Sequence, residues 1–296
     1  MPSASVGKLE ICYDVRGEGP PLLLIMGFSA QMVLWEDEFC DAIAAHGFTV
    51  VRMDNRDIGL SSKLDHLGVP DVRKTLLRTM LGLSIEAPYT LDDMADDSVG
   101  LMRSLGFDRF HVVGASMGGM IAQTIAVSQP ERLLSLTSIM STPGGRRYLG
   151  KPNAIGALLK KPAKTNEAAI EQFVDLFRTI AGTGFVFRED RFREIAKKSV
   201  ERGLSPRGAA RQFAAILAAG SKRVRLLPKV RVPTLVIHGT DDPLIPLRAG
   251  AATARLIPGA EFIPVKGMGH DLPIDAYPLL VGAIATHALK STARAG

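Results

Sequence analysis

A serine at position 116 stands in Gly114-Ala115-Ser116-Met117-Gly118-Gly119, between the apolar run FHVVG (110–114) and a helix-like run, MIAQTIAVSQ, that stops at Pro130. A serine hydroxyl becomes a useful nucleophile only when it is lifted into a cleft beside a base, and a strand-to-helix elbow does this at the cost of backbone strain. Glycines on either side make so sharp a turn sterically feasible. The elbow also sets Ser116 at a helix N-terminus, where free N–H groups and the dipole favour developing negative charge. The N–H of Met117 is therefore a candidate oxyanion donor.

A serine nucleophile needs an imidazole to take its proton and a carboxylate to hold that imidazole, and on a strand-to-helix elbow the acid and then the histidine follow in chain order. His270 lies in Lys266-Gly267-Met268-Gly269-His270, a glycine-rich loop after a late apolar run, and is the histidine placed for that work. His111 enters the strand before the elbow, His238 ends another strand and His287 falls within the final helix, so structural roles suit these three better. The acid should follow the strand PTLVIHG (233–239), where the chain reads Thr240-Asp241-Asp242-Pro243. Residues 133–146 contain no Asp or Glu, so the strand before that one offers no alternative acid. Both aspartates remain candidates; Asp242 is preferred, because Gly239-x-x-Asp242 followed by proline fits a tight turn, with Asp241 left to cap or solvate it.

The elements that must position these groups are legible as a pattern. Short β-rich runs, LEICYDV (9–15), LLLIM (22–26), FTVVRMD (48–54), FHVVG (110–114) and LLSLTSIM (133–140), alternate with helical patterns at 35–45 and 91–105. That alternation marks an α/β fold with a mostly parallel sheet and crossover helices. Thr90 suits an N-cap, with Asp92 and Asp93 as dipole partners in the first turn. After Pro143-Gly144-Gly145 a basic helical region runs to about Leu227 before PTLVIHG (233–239) resumes the sheet, and EFIPV (261–265), the histidine loop and a helix from about Ala276 complete it. An insertion this long cannot be structureless in a compact domain. Residues 1–142 and 229–296 are thus expected to form the core domain, and 143–228 a helical cap.

Composition bounds the rest. At 296 residues, 46% hydrophobic and 22% charged, the chain reads as an ordinary soluble protein with one substantial core. It begins without the basic start and apolar run of a signal peptide and contains no stretch long enough for a membrane span, so a cytoplasmic location is expected. Cys12 and Cys40 are read as buried thiols, the six histidines are scattered singly, and neither a metal nor another cofactor is expected. The net charge of +6 is uneven: residues 151–231 hold 18 Lys or Arg against 7 Asp or Glu, or +11. Such a face suits anionic substrates or an acidic membrane surface as well as plain solvent; without aromatic stacking patterns, nucleic acid is not expected. A monomer or homodimer is expected.

Taken together, LLLIMGFSAQMVLW (22–35), Asp54-Asn55-Arg56-Asp57-Ile58-Gly59-Leu60-Ser61, the Ser116 elbow, Asp242 and Gly267-Met268-Gly269-His270 resemble the α/β-hydrolase superfamily over nearly the whole chain. They look like bacterial esterases of the aclacinomycin methylesterase type and actinobacterial carboxylesterases or lipases. The resemblance implies Ser116 as nucleophile, Asp242 as acid and His270 as base, with the turn after the strand at 22–26 completing the oxyanion hole. Many relatives read His-Gly-x in that turn, whereas this chain reads Met26-Gly27-Phe28, which makes the N–H of Phe28 the second donor. Gly27 and Trp35 are carried as candidate substrate contacts, with helix packing as the other reading of Trp35. Arg56, Asp57 and Ser61 stand where they reach substrate or, more in keeping with their types, brace a loop.

The implied reaction is hydrolysis of an ester or thioester through an acyl-enzyme on Ser116. The cap's apolar helices, with Met80, Leu81 and Leu83 upstream, suggest an apolar acyl or alcohol group, and its charge suggests an anionic one. The same triad supports a cofactor-free perhydrolase or haloperoxidase, an aminopeptidase, a carbon–carbon bond hydrolase, or a binding protein on the hydrolase fold. Epoxide hydrolase and dehalogenase chemistry are disfavoured, because in those relatives an aspartate takes the place of Ser116.

Overall fold

Strands covered on both faces read as unbroken apolar runs, and the computed structural model, which describes residues 1–295, bears this out in its central strands. In chain order the elements are β1 (Ser3–Val6), β2 (Leu9–Arg16), β3 (Pro21–Ile25), α1 (Asp37–Ala44), β4 (Thr49–Met53), α2 (Val72–Met80), α3 (Leu91–Ser104), β5 (Phe110–Ala115), α4 (Met117–Ser128) and β6 (Leu133–Ile139). There follow α5 (Pro152–Leu158), α6 (Asn166–Ile180), α7 (Glu189–Glu201), α8 (Pro206–Ala219), α9 (Lys222–Leu226), β7 (Thr234–Gly239), α10 (Leu247–Leu256), β8 (Glu261–Val265) and α11 (Tyr277–Ala295). All residues of β5 and β7 are buried, as expected for strands with helices on both faces.

The eight strands form one sheet in the order β1-β2-β4-β3-β5-β6-β7-β8, parallel from β4 onward and antiparallel at β1 and β2. The order reverses at β3, which pairs with β4 on one side and β5 on the other. At such a switch point the loops leaving the two neighbouring strands diverge to opposite faces and open a crevice beyond their carboxyl ends. The turn after β3 and the elbow after β5 both open there, so the topology alone brings the Phe28 and Met117 N–H groups, the two expected oxyanion donors, to the same crevice.

Local chemistry fixes the helix ends. Thr90 and Asp93 form a reciprocal capping box at α3, with the Asp93 N–H donating to the Thr90 hydroxyl at 3.2 Å and the Thr90 N–H donating to the Asp93 carboxylate at 2.7 Å. Two apolar clusters, one on each face of the sheet, form the core. Helices α5 to α9 all fall inside residues 143–228, between β6 and β7, and build a smaller core of their own around Val174, Phe177, Ile180, Phe192 and Ile195. Among the described residues no helix is long and apolar enough to cross a membrane. Strand β1 and helix α10, which the sequence pattern did not mark, complete the edges of the sheet.

Candidate active site

Ser116 sits at the tip of the β5–α4 elbow with φ +57°, a conformation that L residues adopt at a cost of order 1–3 kcal/mol. Its N–H donates to the Ile139 carbonyl at 2.9 Å, which pins the strained residue to β6. Gly118 is where the elbow tolerates no side chain: a Cβ there would lie 2.0 Å from the Ile25 carbonyl oxygen of β3. The turn after β3 runs against Ser116, so that a Cβ on Gly27 would meet the Ser116 Cβ at 3.1 Å. The Phe28 N–H has no protein acceptor among the described residues, and Met117, as the first residue of α4, has no partner within the helix for its own N–H.

The three groups expected to act together are in contact. Ser116 Oγ is 2.9 Å from His270 Nε2, and His270 Nδ1 is 2.7 Å from Asp242 Oδ2. Asp242 is held from its other side, where Oδ1 accepts the N–H groups of Leu244 at 2.9 Å and Ile245 at 2.8 Å. Burial alone would raise the Asp242 pKa, but the charge of His270 and hydrogen bonds from His238 and His270 outweigh it and hold the carboxyl down at about 2. An ionised acid is what a histidine base needs at its Nδ1.

Asp241, the competing acid, faces the other way. Its carboxylate accepts the Thr183 hydroxyl and, at 3.3 Å, the Thr183 N–H of the helical insertion. The histidine loop is tied to the same segment: the His270 N–H donates to the Ile180 carbonyl at 2.7 Å and the Gly184 N–H to the Gly267 carbonyl at 2.9 Å. Contact is so close that a Cβ on Gly182 would lie 2.0 Å from the Gly267 oxygen. From α7, Arg191 donates to Glu36 at 2.6 Å, to the Tyr277 hydroxyl at 2.7 Å and to the Leu272 carbonyl, two residues beyond His270, at 2.9 Å. The insertion thus supplies backbone and side-chain partners that set the position of His270 and its loop.

Above the serine lies a cavity of about 550 Å³. Ser116, Gly27, Phe28 and His270 form its floor, Leu34, Phe173, Phe177, Phe192 and Phe213 are among its apolar walls, and Arg73, Lys160 and Lys161 add cationic side chains. The Phe28 and Phe213 rings meet at 6.0 Å across core and insertion. Asp271, which also lines the cavity, has one carboxylate oxygen buried without a hydrogen-bond partner, and burial pushes its pKa up to about 6 against the pull of Arg191 and His270.

Two expectations need correction. Trp35 is no substrate contact: it is fully buried, stacked on Phe39 with ring centroids 5.3 Å apart, and absent from the cavity wall, because the short helical turn at Met32–Leu34 rotates it under α1. Met80, Leu81 and Leu83 do not shape the cavity either; they are 66%, 64% and 50% exposed, because α2 turns that side away from the core. Arg56, Asp57 and Ser61 are braces. Arg56 pairs with Asp97 at 2.6 Å, Asp57 with the fully buried Arg211 of α8 at 2.7 Å, and the Ser61 hydroxyl donates to the Asp54 carbonyl at 2.6 Å. His111 is satisfied by Ser135 at 2.8 Å and Thr292 at 3.0 Å, and both cysteines are buried free thiols.

Sequence reasoning missed Arg191, Asp271, Gln212 and the Ile180–Gly184 segment. Gln212 accepts the Ser29 N–H at 2.9 Å and donates to the Arg56 carbonyl at 3.0 Å, tying the turn after β3 to α8. Nothing in spacing along the chain announces Arg191, Gln212 or the Ile180–Gly184 segment, since each acts across more than 80 positions, while Asp271 stands beside His270 and is singled out only by its burial.

The class follows from the elbow, the reversing sheet and the hydrogen-bonded serine, histidine and aspartate. Residues 20–277 match the model of the alpha/beta hydrolase fold family, and the chain belongs to that family. Within it, the chain is 30% identical over 325 aligned positions to rhodomycin D methylesterase of Streptomyces sp. (strain C5), covering 99% of this chain and 100% of that one. Solved structures that share the fold include the enol-lactonase from Burkholderia xenovorans LB400, with TM-score 0.73 at 22% identity over 97% and 99% of the two chains. A meta-cleavage product hydrolase from Pseudomonas fluorescens IP01 has TM-score 0.76 at 18% identity, covering 98% of each.

Proposed function

We propose that this chain is a serine hydrolase of carboxylic esters, working through an acyl-enzyme on Ser116. The observation that carries the reading is the continuous hydrogen-bonded path from Ser116 Oγ through His270 to an Asp242 held ionised, at the floor of a cavity with two N–H groups nearby. Likeness to a methylesterase over the full chain supports an ester as the bond cleaved.

Ser116 Oγ attacks the ester carbonyl carbon while His270 Nε2 takes its proton, and the resulting oxyanion accepts hydrogen bonds from the Phe28 and Met117 N–H groups, each worth about 3 kcal/mol of barrier. Asp242 stabilises the imidazolium. The carbonyl re-forms, the alcohol departs with the proton from His270, and the acyl group stays on Ser116. Water then attacks with His270 again as base, and the carboxylic acid is released. The helical insertion acts as the cap, its aromatic wall favouring an apolar acyl or alcohol group, and Arg73, Lys160 and Lys161 favouring substrates that also carry negative charge.

The test is hydrolysis of p-nitrophenyl esters from acetate to palmitate by the wild type and Ser116→Ala. Turnover should fall by roughly six orders of magnitude with folding intact. Retained activity would remove Ser116 from the mechanism; a wild type inert on every ester would turn attention to thioesters, peptides and carbon–carbon bonds.

A further inference from the structure

Helix α2 wears its apolar side outward. Leu77, Met80 and Leu81, spaced i, i+3, i+4, are 57%, 66% and 64% exposed, and Leu83 just beyond the helix is 50% exposed. With Leu67 and Val69, six of the fourteen large exposed apolar side chains among the described residues fall within 17 positions. A helix of a water-bathed protein normally turns such a stripe inward, and contiguous exposed patches of this kind mark interaction surfaces.

The charge beside the stripe leans positive, although Glu86, three residues past Leu83, is an exposed carboxylate. Arg73, Lys74 and Arg78 lie on α2 itself, while Asp71 caps the helix through the Lys74 N–H at 3.0 Å and Asp65 is paired with Arg207 and Arg211. Residues 143–165 carry six Lys or Arg and no Asp or Glu. This segment reaches α2 through Arg146, which donates to the Met80 carbonyl at 2.6 Å. Both segments border the cavity above Ser116, α2 through Val72 and Arg73 and the basic segment through Lys160, Lys161 and Pro162.

We infer that this face docks on an anionic lipid surface, with Leu77, Met80, Leu81 and Leu83 entering the headgroup boundary and the surrounding cations contacting acidic headgroups. An apolar stripe flanked by cations is the chemistry of interfacial helices. The cavity wall formed by Val72, Arg73, Lys160, Lys161 and Pro162 then lies on the membrane side. The docking does not depend on the esterase reading.

Sedimentation with vesicles of phosphatidylcholine alone, and of phosphatidylcholine and phosphatidylglycerol in equal parts, tests it with the full-length chain. Binding should be confined to the mixed vesicles and weaken with added salt. Lys74→Glu should lower partitioning more than about fivefold, since one lost cation is worth about that factor and the new charge repels. The combined Leu77→Ser, Met80→Ser, Leu81→Ser variant should lower it roughly tenfold or more while hydrolysis of a soluble short-chain ester is unchanged. Equal binding to both vesicle types, or none to either, would overturn the inference. So would a wild-type dimer that the triple serine variant converts to monomer, because the stripe would then be covered by a second copy.

Discussion

Replacing Asp242 by Asn is the sharpest probe of the site, because the structure says which way the amide must sit. Asp242 Oδ1 accepts two backbone N–H groups, from Leu244 and Ile245, so an asparagine keeps its carbonyl oxygen there and presents NH₂ where Oδ2 now faces His270. An NH₂ can only donate to His270 Nδ1. The imidazole must then carry its proton on Nε2, which can no longer take one from Ser116. The expected loss in kcat/KM on a p-nitrophenyl ester is about 10⁴-fold, with KM little changed. The same substitution bears on stability. Asp242 is shifted from 3.8 to about 2, which converts to about 2 kcal/mol that is present above the ordinary aspartate pKa and lost as pH falls towards 2. Asp242→Asn should therefore flatten the acid limb of a Tm-against-pH curve. Asp241→Asn, whose oxygen can still accept from Thr183, should stay within about threefold of the wild type. If the two variants lost activity equally, or if Asp242→Asn stayed within about tenfold, the assignment of the acid would fail.

Three further outcomes are expected. Gly182→Ala, whose Cβ meets the Gly267 oxygen, should displace the histidine loop and lower kcat by roughly 10²-fold with a smaller effect on KM; an unchanged kcat would mean the insertion does not position the base. Asp271, raised from 3.8 to about 6, contributes stability that is present below pH 4 and lost as pH rises through 6, so Asp271→Asn should stabilise the fold at pH 8 by up to about 3 kcal/mol, seen as a higher Tm, and leave Tm unchanged at pH 4; equal shifts at both would refute this. Trp35→Phe keeps a ring against Phe39 and should leave KM unaltered across the ester series while Tm drops, whereas an altered acyl preference would return Trp35 to the substrate.

The elements nearest the chemistry were legible because local rules dictate them. Gly114 and Gly118 around Ser116, between an apolar strand and a helix, mark a positive-φ elbow from short-range pattern alone, so Ser116 and the Met117 N–H stand out as candidates. The order of serine, acid and histidine follows from which strands precede them. The alternation of strand and helix, the capping box at Thr90 and Asp93, and the long helical insertion are likewise written in short-range pattern. What depends on direction in space was not. Asp241 and Asp242 are neighbours in the chain, yet one meets His270 and the other Thr183 of the insertion, because successive side chains of a turn point to different sides. Trp35 and the stripe of α2 show the same limit in opposite senses: both are apolar, and only packing decides that Trp35 goes under α1 while Leu77, Met80 and Leu81 face outward. The ties from Arg191 and Ile180–Gly184 to the histidine loop join residues more than 80 positions apart, and such contacts exist only once the insertion has folded over the carboxyl edge of the sheet.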